Sequence, residues 1–187
     1  MKRINFLMTL MAIALVSFTF TSCEDEEIAR DLNGTWEGNI HVSSKFDDGQ
    51  YYYSTKTYVC FDRDIYKYAA GEGYWVDYYD GYRWSWGDYV ANHITWRVDN
   101  GVIKIHFVED GDNVRIYDYS LNDRYFSGIV ETDDSQRVSF RLTKTSSPDW
   151  NRYHYWGYYA KKCILDEQTR GTSTATKRPQ RVFHVKE

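Results

Sequence analysis

The chain has 187 residues, enough for one domain with a hydrophobic core. A domain of about this size buries about 68–70% of the surface that its unfolded chain exposes. Its 23 basic and 27 acidic residues give a formal net charge of −4, a balance that argues against a nucleic-acid partner.

The first residues follow the pattern of an export signal. A short basic head at residues 2–3 precedes an almost unbroken apolar stretch at 4–20, and small polar residues 21–22 lead into Cys23. This arrangement resembles the lipobox of bacterial lipoproteins, which implies cleavage before Cys23 and acylation of its thiol and its new amino group. The apolar stretch is at the lower length limit for a spanning helix, so a single transmembrane anchor is the alternative. We predict a signal peptide at 1–22 and lipidation at Cys23.

Four consecutive acidic residues, 24–27, follow the cysteine. Because like charges repel, we expect this run to stay extended and solvated, and we predict an acidic tether at residues 23–31. The run resembles the acidic signal that sends Bacteroidota-type lipoproteins to the outer face of the outer membrane; a plain flexible tether is the alternative. The resemblance implies a lipid-anchored outer-membrane protein that faces the cell exterior.

The next stretch predicts one strand after another. Trp36, Ile40 and Val42 alternate with polar residues, the period of a half-buried strand. Asn100-Gly101 separates two alternating runs and predicts a type I′ hairpin turn, whose two central residues need positive φ. Asp80-Gly81 marks a second hairpin between two aromatic arms. About eight strands with regular turn signals predict an all-β protein, an antiparallel up-and-down barrel that ends near Thr145.

The alternation also predicts which side chains face the barrel core and which face solvent. Glu37, Lys104 and Arg137 are expected to be exposed. The predicted core residues are Trp36, Ile40, Trp96, Ile105, Phe107, Phe126, Phe140 and Leu142.

Residues 32–38, Leu-Asn-Gly-Thr-Trp-Glu-Gly, resemble the Gly-x-Trp opening of lipocalin-like (calycin) barrels. The resemblance implies a barrel over residues 32–145 in which Trp36 plugs one end at the first strand. It also implies an arginine on the last strand that packs across this tryptophan. Arg141 stands nearest that place, although alternation puts it on the face opposite Phe140.

Residues 146–187 form an irregular, aromatic-rich C-terminal extension. Ser147 and Pro148 resemble a helix start, with Ser147 as the cap, but the tyrosines that follow suit a strand equally well. Residues 169–180 have the composition of a loose linker, and residues 181–186 could add a short edge strand. Cys60 and Cys163 either pair as a disulfide or are two unrelated thiols.

No catalytic or metal-binding pattern stands out. The five histidines are scattered, without a His-x-His or His-x-x-x-His pair, and no acid, base and nucleophile lie at spacings that would converge. We therefore expect a protein that is not an enzyme and that uses no metal and no cofactor.

Aromatic residues are dense in two places. Eight of the sixteen residues at 74–89 and six of the ten at 150–159 are Tyr or Trp. Such side chains offer a flat apolar face with a polar edge, which suits stacking on sugar rings or lining a ligand pocket. The predicted ligand-binding residues are Tyr78, Tyr82, Trp84 and Trp86, with Trp75 as either a fifth contact or a core residue.

Two functions follow. The first is a membrane-anchored, non-catalytic binding module for a small apolar ligand or a glycan. The alternative is a structural or accessory protein that docks on another envelope protein through its aromatic surface. A cavity enclosed by the barrel would favour the first function, whereas a filled core with an apolar outer patch would favour the second.

Overall fold

A computed structural model of the protein describes residues 24–46, 49–80, 88–155 and 180–183. These residues form a closed, eight-stranded antiparallel barrel with two further strands outside the ring, so the all-β prediction is confirmed. The strands are β1 (Gly34–Asn39), β2 (Val42–Lys45), β3 (Tyr51–Arg63), β4 (Ala70–Tyr79), β5 (Tyr89–Asp99), β6 (Val102–Phe107), β7 (Asn113–Leu121), β8 (Tyr125–Thr132), β9 (Arg137–Thr145) and β10 (Gln180–Phe183).

The ring closes at β1, which pairs with both β9 and β3. Trp36 stands opposite Lys144 on one side and Val59 on the other. Between β1 and β2, His41 adopts a φ of 55°, a conformation rare for a non-glycine residue, and the strand bends there. Because of the bend, β2 pairs with β3 but not with β9. The other edge of β2 pairs with β10. The short edge strand predicted within residues 181–186 is therefore confirmed for 181–183, and residues 184–186 lie outside the described residues.

The sequence predicted the interior correctly. All eight expected core residues are buried, and at Asn100 and Gly101 the φ angles are 53° and 73°, as a type I′ turn requires. Gly73 allows an unusually close approach of β4 to β3, because a Cβ there would lie 1.8 Å from the carbonyl oxygen of Cys60. Large side chains fill the space inside the ring, among them Trp36, Trp75, Trp96, Phe61, Phe107, Phe126, Ile94 and Ile105.

The prediction of an extended acidic tether is wrong for residues 24–31, because they belong to a helix that spans 24–32. Ala29 and Leu32 are fully buried in the barrel core, and the Trp36 indole N–H donates to the carbonyl of Leu32 at 2.8 Å. The Asp25 carboxylate accepts the backbone N–H groups of the Asn100-Gly101 turn at 3.0 and 2.7 Å. Asp25 thus has backbone partners, as does Glu26, which accepts the N–H of Ala69, and acids are also favourable near a helix N-terminus.

This helix lies at the end of the barrel that also carries the β3–β4 and β5–β6 turns. We call it the helix-capped end. The opposite end carries β2, β10 and the β6–β7 and β8–β9 turns, and we call it the β10 end. The first described residues thus close one end of the barrel, and the last described residues close the other.

The predicted arginine partner of Trp36 is also wrong. Arg141 points away from the core, with its guanidinium 4.6 Å from the ring centre of Tyr125. Lys144 takes the place, with its ammonium 5.0 Å from the centre of the Trp36 ring. Alternation explains the exchange, because Lys144 shares its strand face with Leu142.

After β9 the chain crosses the outside of the barrel. Trp150–Arg152 form one 3₁₀ turn capped by Asp149, which accepts the N–H of Asn151 at 3.1 Å. Ser147 is therefore not the cap; its hydroxyl lies 2.5 Å from that of Thr35. Tyr155 then forms an isolated bridge with Ala91 on β5. Cys60 is a free, buried thiol, and Cys163 lies outside the described residues.

Candidate functional site

The outward faces of β3, β4 and β5 form an aromatic surface on which the segment after β9 packs. Tyr74 pairs with Cys60 and His93 in the neighbouring strands, and Tyr78 pairs with Tyr89. Two aromatic-rich stretches that are far apart in sequence therefore meet on one side of the barrel. We call this surface the outer aromatic wall; it comprises Tyr58, Tyr74, Tyr78, Tyr89, Trp150, Tyr153 and Tyr155.

Ring stacking and hydroxyl groups fix the crossing segment to the wall. Trp150 stacks on Tyr74 with 4.9 Å between ring centres and an angle of 11° between planes. The Tyr78 and Tyr153 hydroxyl oxygens are 2.7 Å apart, and the Tyr155 hydroxyl donates to the Trp150 carbonyl at 2.9 Å. Tyr153 and Tyr155 are buried, whereas the other five aromatics of the wall are half-buried and keep part of each ring accessible.

Among the described residues, two cations lie at the wall. Arg152 donates from Nη2 to the Tyr153 hydroxyl at 3.4 Å, and its guanidinium is 5.3 Å from the Tyr153 ring centre. The Lys56 ammonium is 3.2 Å from the Tyr58 hydroxyl and 5.2 Å from the Tyr78 ring centre. The hydrogen bond to Tyr58 raises the pKa of Lys56, so the ammonium stays charged. Burial and the neighbouring Tyr153 raise the pKa of Tyr78 well above its usual range, so that hydroxyl stays neutral. The wall therefore presents apolar ring faces, neutral hydroxyls and two positive charges, those of Lys56 and Arg152.

A histidine–carboxylate pair borders the wall. His93 Nδ1 is 2.5 Å from Glu109 Oε1, and the His93 backbone N–H donates to Glu109 Oε2 at 2.8 Å. The imidazole lies 3.9 Å, between ring centres, from Tyr155. The pair has no local sequence signature, because its members are 16 residues apart. The strand register does indicate the pair. Ile94 pairs with Phe107, the last residue of β6, so His93 lies beside the residues that follow Phe107.

A buried polar cluster lies at the β10 end. Arg181 donates from Nε to Asp77 at 2.9 Å, from Nη2 to Asn92 at 2.8 Å and from Nη1 to Asp110 at 3.3 Å. The side chains of Arg181, Asp77 and Asp110 are 3%, 0% and 4% exposed, so this is an ion-paired network shielded from water. Its guanidinium also lies 4.5 Å from the Phe107 ring centre. In the sequence, Arg181 is notable only as the first residue of the predicted edge strand.

Residues in the part of the chain that the structure describes line a cavity at one mouth of the barrel and a groove on its outside. The cavity, of about 240 Å³, opens at the β10 end, between Phe107, Gln136 and Phe183. The groove, of about 480 Å³, is shallow and lies on the outer faces of β5 to β7, bordered by Arg97 and Arg115 among others. Neither is a central, enclosed ligand chamber.

The structure separates the residues predicted to bind a ligand. Tyr78 belongs to the outer aromatic wall. Trp75 is a core residue, fully buried, and its indole N–H donates to Asp77 at 3.0 Å. The other three predicted contacts, Tyr82, Trp84 and Trp86, lie outside the described residues, as does Cys23.

Comparisons with known proteins add little to the fold. No family model matches the sequence, and a search of curated proteins finds no match. Among solved structures, the chain is similar to a redesigned β-barrel, with 15% identity, 63% of this chain and 95% of that chain covered, and a TM-score of 0.39. Within the described part of the chain, no helix is both long and apolar enough to span a bilayer.

Proposed function

We propose that this protein is a lipoprotein, acylated at Cys23 and held at the outer face of the outer membrane, that acts as a non-catalytic recognition module. Its partner would be another envelope protein, which docks on the outer aromatic wall. The observation that carries the proposal is the convergence of Tyr74, Tyr78 and Tyr89 with residues 150–155 on one outer face. Half-buried Tyr and Trp side chains are typical anchors of protein interfaces.

The packed interior favours the outside of the barrel over the inside. An eight-stranded barrel is just wide enough for side chains to fill, and here the inward positions carry Trp, Phe and Ile. A small apolar ligand inside the barrel therefore has no support from the described residues. By the criterion set from the sequence, a filled core with an aromatic outer surface favours docking on a protein.

A glycan is the second candidate ligand for the same wall. The observation in its favour is the polar rim, where the Lys56 ammonium and the Tyr58 and Tyr78 hydroxyls lie beside flat ring faces. Sugars present apolar faces and hydroxyl groups that match such a surface.

Photo-cross-linking in intact cells tests the docking surface. A cross-linking amino acid replaces Thr55, an exposed residue beside the wall on β3, and, as a control, Ser139, an exposed residue on β9. We expect one envelope protein to be captured from position 55 and not from position 139. Tyr58→Ser should weaken that capture, whereas Tyr125→Ser, which alters a 40% exposed tyrosine on β8, should not.

The same variants distinguish docking on a protein from binding of a glycan. Identical capture from positions 55 and 139 would contradict docking through the wall. Binding of the purified protein to arrayed envelope glycans, lost in Tyr58→Ser and kept in Tyr125→Ser, would assign the wall to a glycan instead.

The lipid anchor and the acidic surface signal need separate tests. We expect Cys23→Ala to release the protein from membranes and to leave an uncleaved or soluble form. Retention after carbonate washing, with the signal removed, would contradict the proposal that the protein is a lipoprotein.

Glu24→Ala with Glu27→Ala alters the two exposed acids of the run. This pair should reduce protease accessibility on intact cells, and unchanged accessibility would contradict the surface signal alone.

A further inference from the structure

The tip of the β3–β4 turn exposes large apolar side chains. Ile65 is 73% exposed, Tyr66 is 92% exposed and Tyr68 is 55% exposed. The turn itself is ordered, because the Asp64 carboxylate accepts the Tyr66 N–H at 2.9 Å and the Asp64 carbonyl accepts the Lys67 N–H at 3.0 Å. Turns are usually built from small and polar residues, so an ordered tip with three such side chains indicates a contact surface.

The first turn of the N-terminal helix is attached to this hairpin. The Glu26 carboxylate accepts the backbone N–H of Ala69 at 2.9 Å and forms an ion pair with Arg63 at the end of β3. Asp25 holds the neighbouring β5–β6 turn through two backbone N–H groups. The start of the helix and the exposed tip are therefore parts of one rigid end of the barrel.

Chain length then fixes where an anchor at Cys23 would lie. Cys23 is three residues before Glu26, and three residues span at most about 11 Å even when fully extended. The polar headgroup layer on each side of a bilayer is roughly 5–7 Å thick. Since the acids after Cys23 are helical and do not form an extended tether, an acyl chain on this cysteine would bring the helix-capped end close to the lipid headgroups.

We propose that the helix-capped end faces the bilayer and that Ile65, Tyr66 and Tyr68 insert into the lipid interface. This orientation rests on the proposed acylation of Cys23. Tyrosine is favourable at membrane interfaces because its ring is apolar and its hydroxyl stays hydrated, and the Lys67 stem can reach back to the headgroups. The β10 end then points away from the membrane, and the outer aromatic wall lies on the side of the barrel, accessible to a partner in the same membrane.

Site-directed fluorescence on the acylated, full-length mature protein tests the orientation. An environment-sensitive label is attached at Tyr66→Cys or, as the matched control at the β10 end, at Gln136→Cys. Both variants carry Cys163→Ser, and Cys60 is buried. The proteins are reconstituted in phosphatidylcholine vesicles that contain spin-labelled lipid as the quencher. We expect the label at position 66 to be quenched severalfold more strongly than the label at 136.

The possible failures are distinguishable. Equal quenching at both positions, with lipid on Cys23 by mass spectrometry and flotation with the vesicles, would overturn the orientation and leave the anchor in place. Absence of lipid on Cys23 and of flotation would overturn the anchor and the orientation together. Cross-linking of position 66 to a second copy, without quenching by lipid, would assign the tip to a dimer and overturn the insertion.

Hydrogen exchange gives a second readout without a label. Residues 64–69 of the acylated protein should exchange more slowly on vesicles than in an unacylated protein that begins at residue 24 and so keeps the contact of Glu26 with Ala69. Residues 133–136 at the β10 end should exchange equally in both. Equal exchange at 64–69 would count against insertion of the tip.

Discussion

The two ends of the barrel are closed by charged residues in different ways. At the helix-capped end, Glu26 and Arg63 keep side-chain exposures of 34% and 24%, and the carboxylates mainly satisfy backbone N–H groups of turns. At the β10 end, Arg181 and Asp77 are 3% and 0% exposed and neutralise each other out of reach of water. A partly hydrated contact tolerates the loss of one partner, whereas a buried ion pair leaves an uncompensated charge. The β10 end should therefore be the more sensitive to substitution of its charged residues.

The largest expected effect is at Arg181. Arg181→Met would leave Asp77 and Asp110 buried without their cation, and breaking a buried pair in this way typically costs about 3–5 kcal/mol. We predict a loss of that size in the free energy of unfolding, measured by urea denaturation. The control is Arg137→Met, since Arg137 pairs with Glu131 on the surface and its side chain is 65% exposed. Equal losses for the two variants would contradict the buried network.

A comparable loss is expected at Trp36, which joins the helix to the barrel core. Trp36→Ala removes the indole that donates to Leu32 and packs against Phe126 at 5.6 Å between ring centres. Emptying a large aromatic site costs about 3–5 kcal/mol. Lys104→Ala, at an outward position of β6, should change the unfolding free energy by within about 0.5 kcal/mol. If the two variants were equally damaging, the register of β1 and β6 would be wrong.

A smaller effect is expected for Asp25→Asn at the helix-capped end. The amide has one acceptor oxygen, so one of the two charge-assisted bonds to the β5–β6 turn is lost, at about 1–2 kcal/mol. Thermal melting of this variant should be compared with that of Glu27→Gln, whose acid forms an exposed ion pair with Arg30. A melting temperature for Asp25→Asn as high as for Glu27→Gln would show that the helix is not held by this contact.

The smallest effect concerns acidic pH. The hydrogen bond from Lys104 lowers the pKa of Asp99, next to the β5–β6 turn, below its ordinary value. Because the folded protein favours the charged carboxylate, this stabilisation is present at neutral pH and is lost as pH falls through the lowered pKa, below about 3.9. Asp99→Asn should therefore flatten the fall in melting temperature below that pH slightly, and an unchanged slope would contradict the pair.

The sequence predicted the features that local rules control. Alternation placed Ile105 and Phe107 in the core, and Asn100-Gly101 specified its own turn, because these depend on residues within one or two strands. The helix at 24–32 could not be predicted in the same way. The acids of residues 24–27 were expected to repel one another, and the partner of Asp25 is a turn 75 residues away.

The candidate site was harder to predict for the same reason. Trp150 and Tyr74 each belong to an aromatic-rich stretch, but only the path of the chain after β9 stacks one on the other. Arg181 meets Asp77 across 104 residues, and nothing near either residue signals the pair. Trp75 lies in sequence between tyrosines that face outward, and only the register of β4 against β3 shows that Trp75 itself faces inward.

Amide hydrogen exchange of residues 24–32 in the mature protein tests most directly whether the chain after Cys23 is part of the fold. We predict slow exchange for the later turns of the helix, together with protected N–H groups at Asn100 and Gly101, which donate to Asp25. Exchange at the rate of an unstructured chain throughout residues 24–32, in a protein whose strands are protected, would contradict the docked helix. It would also restore a flexible tether and remove the basis for the membrane-facing end.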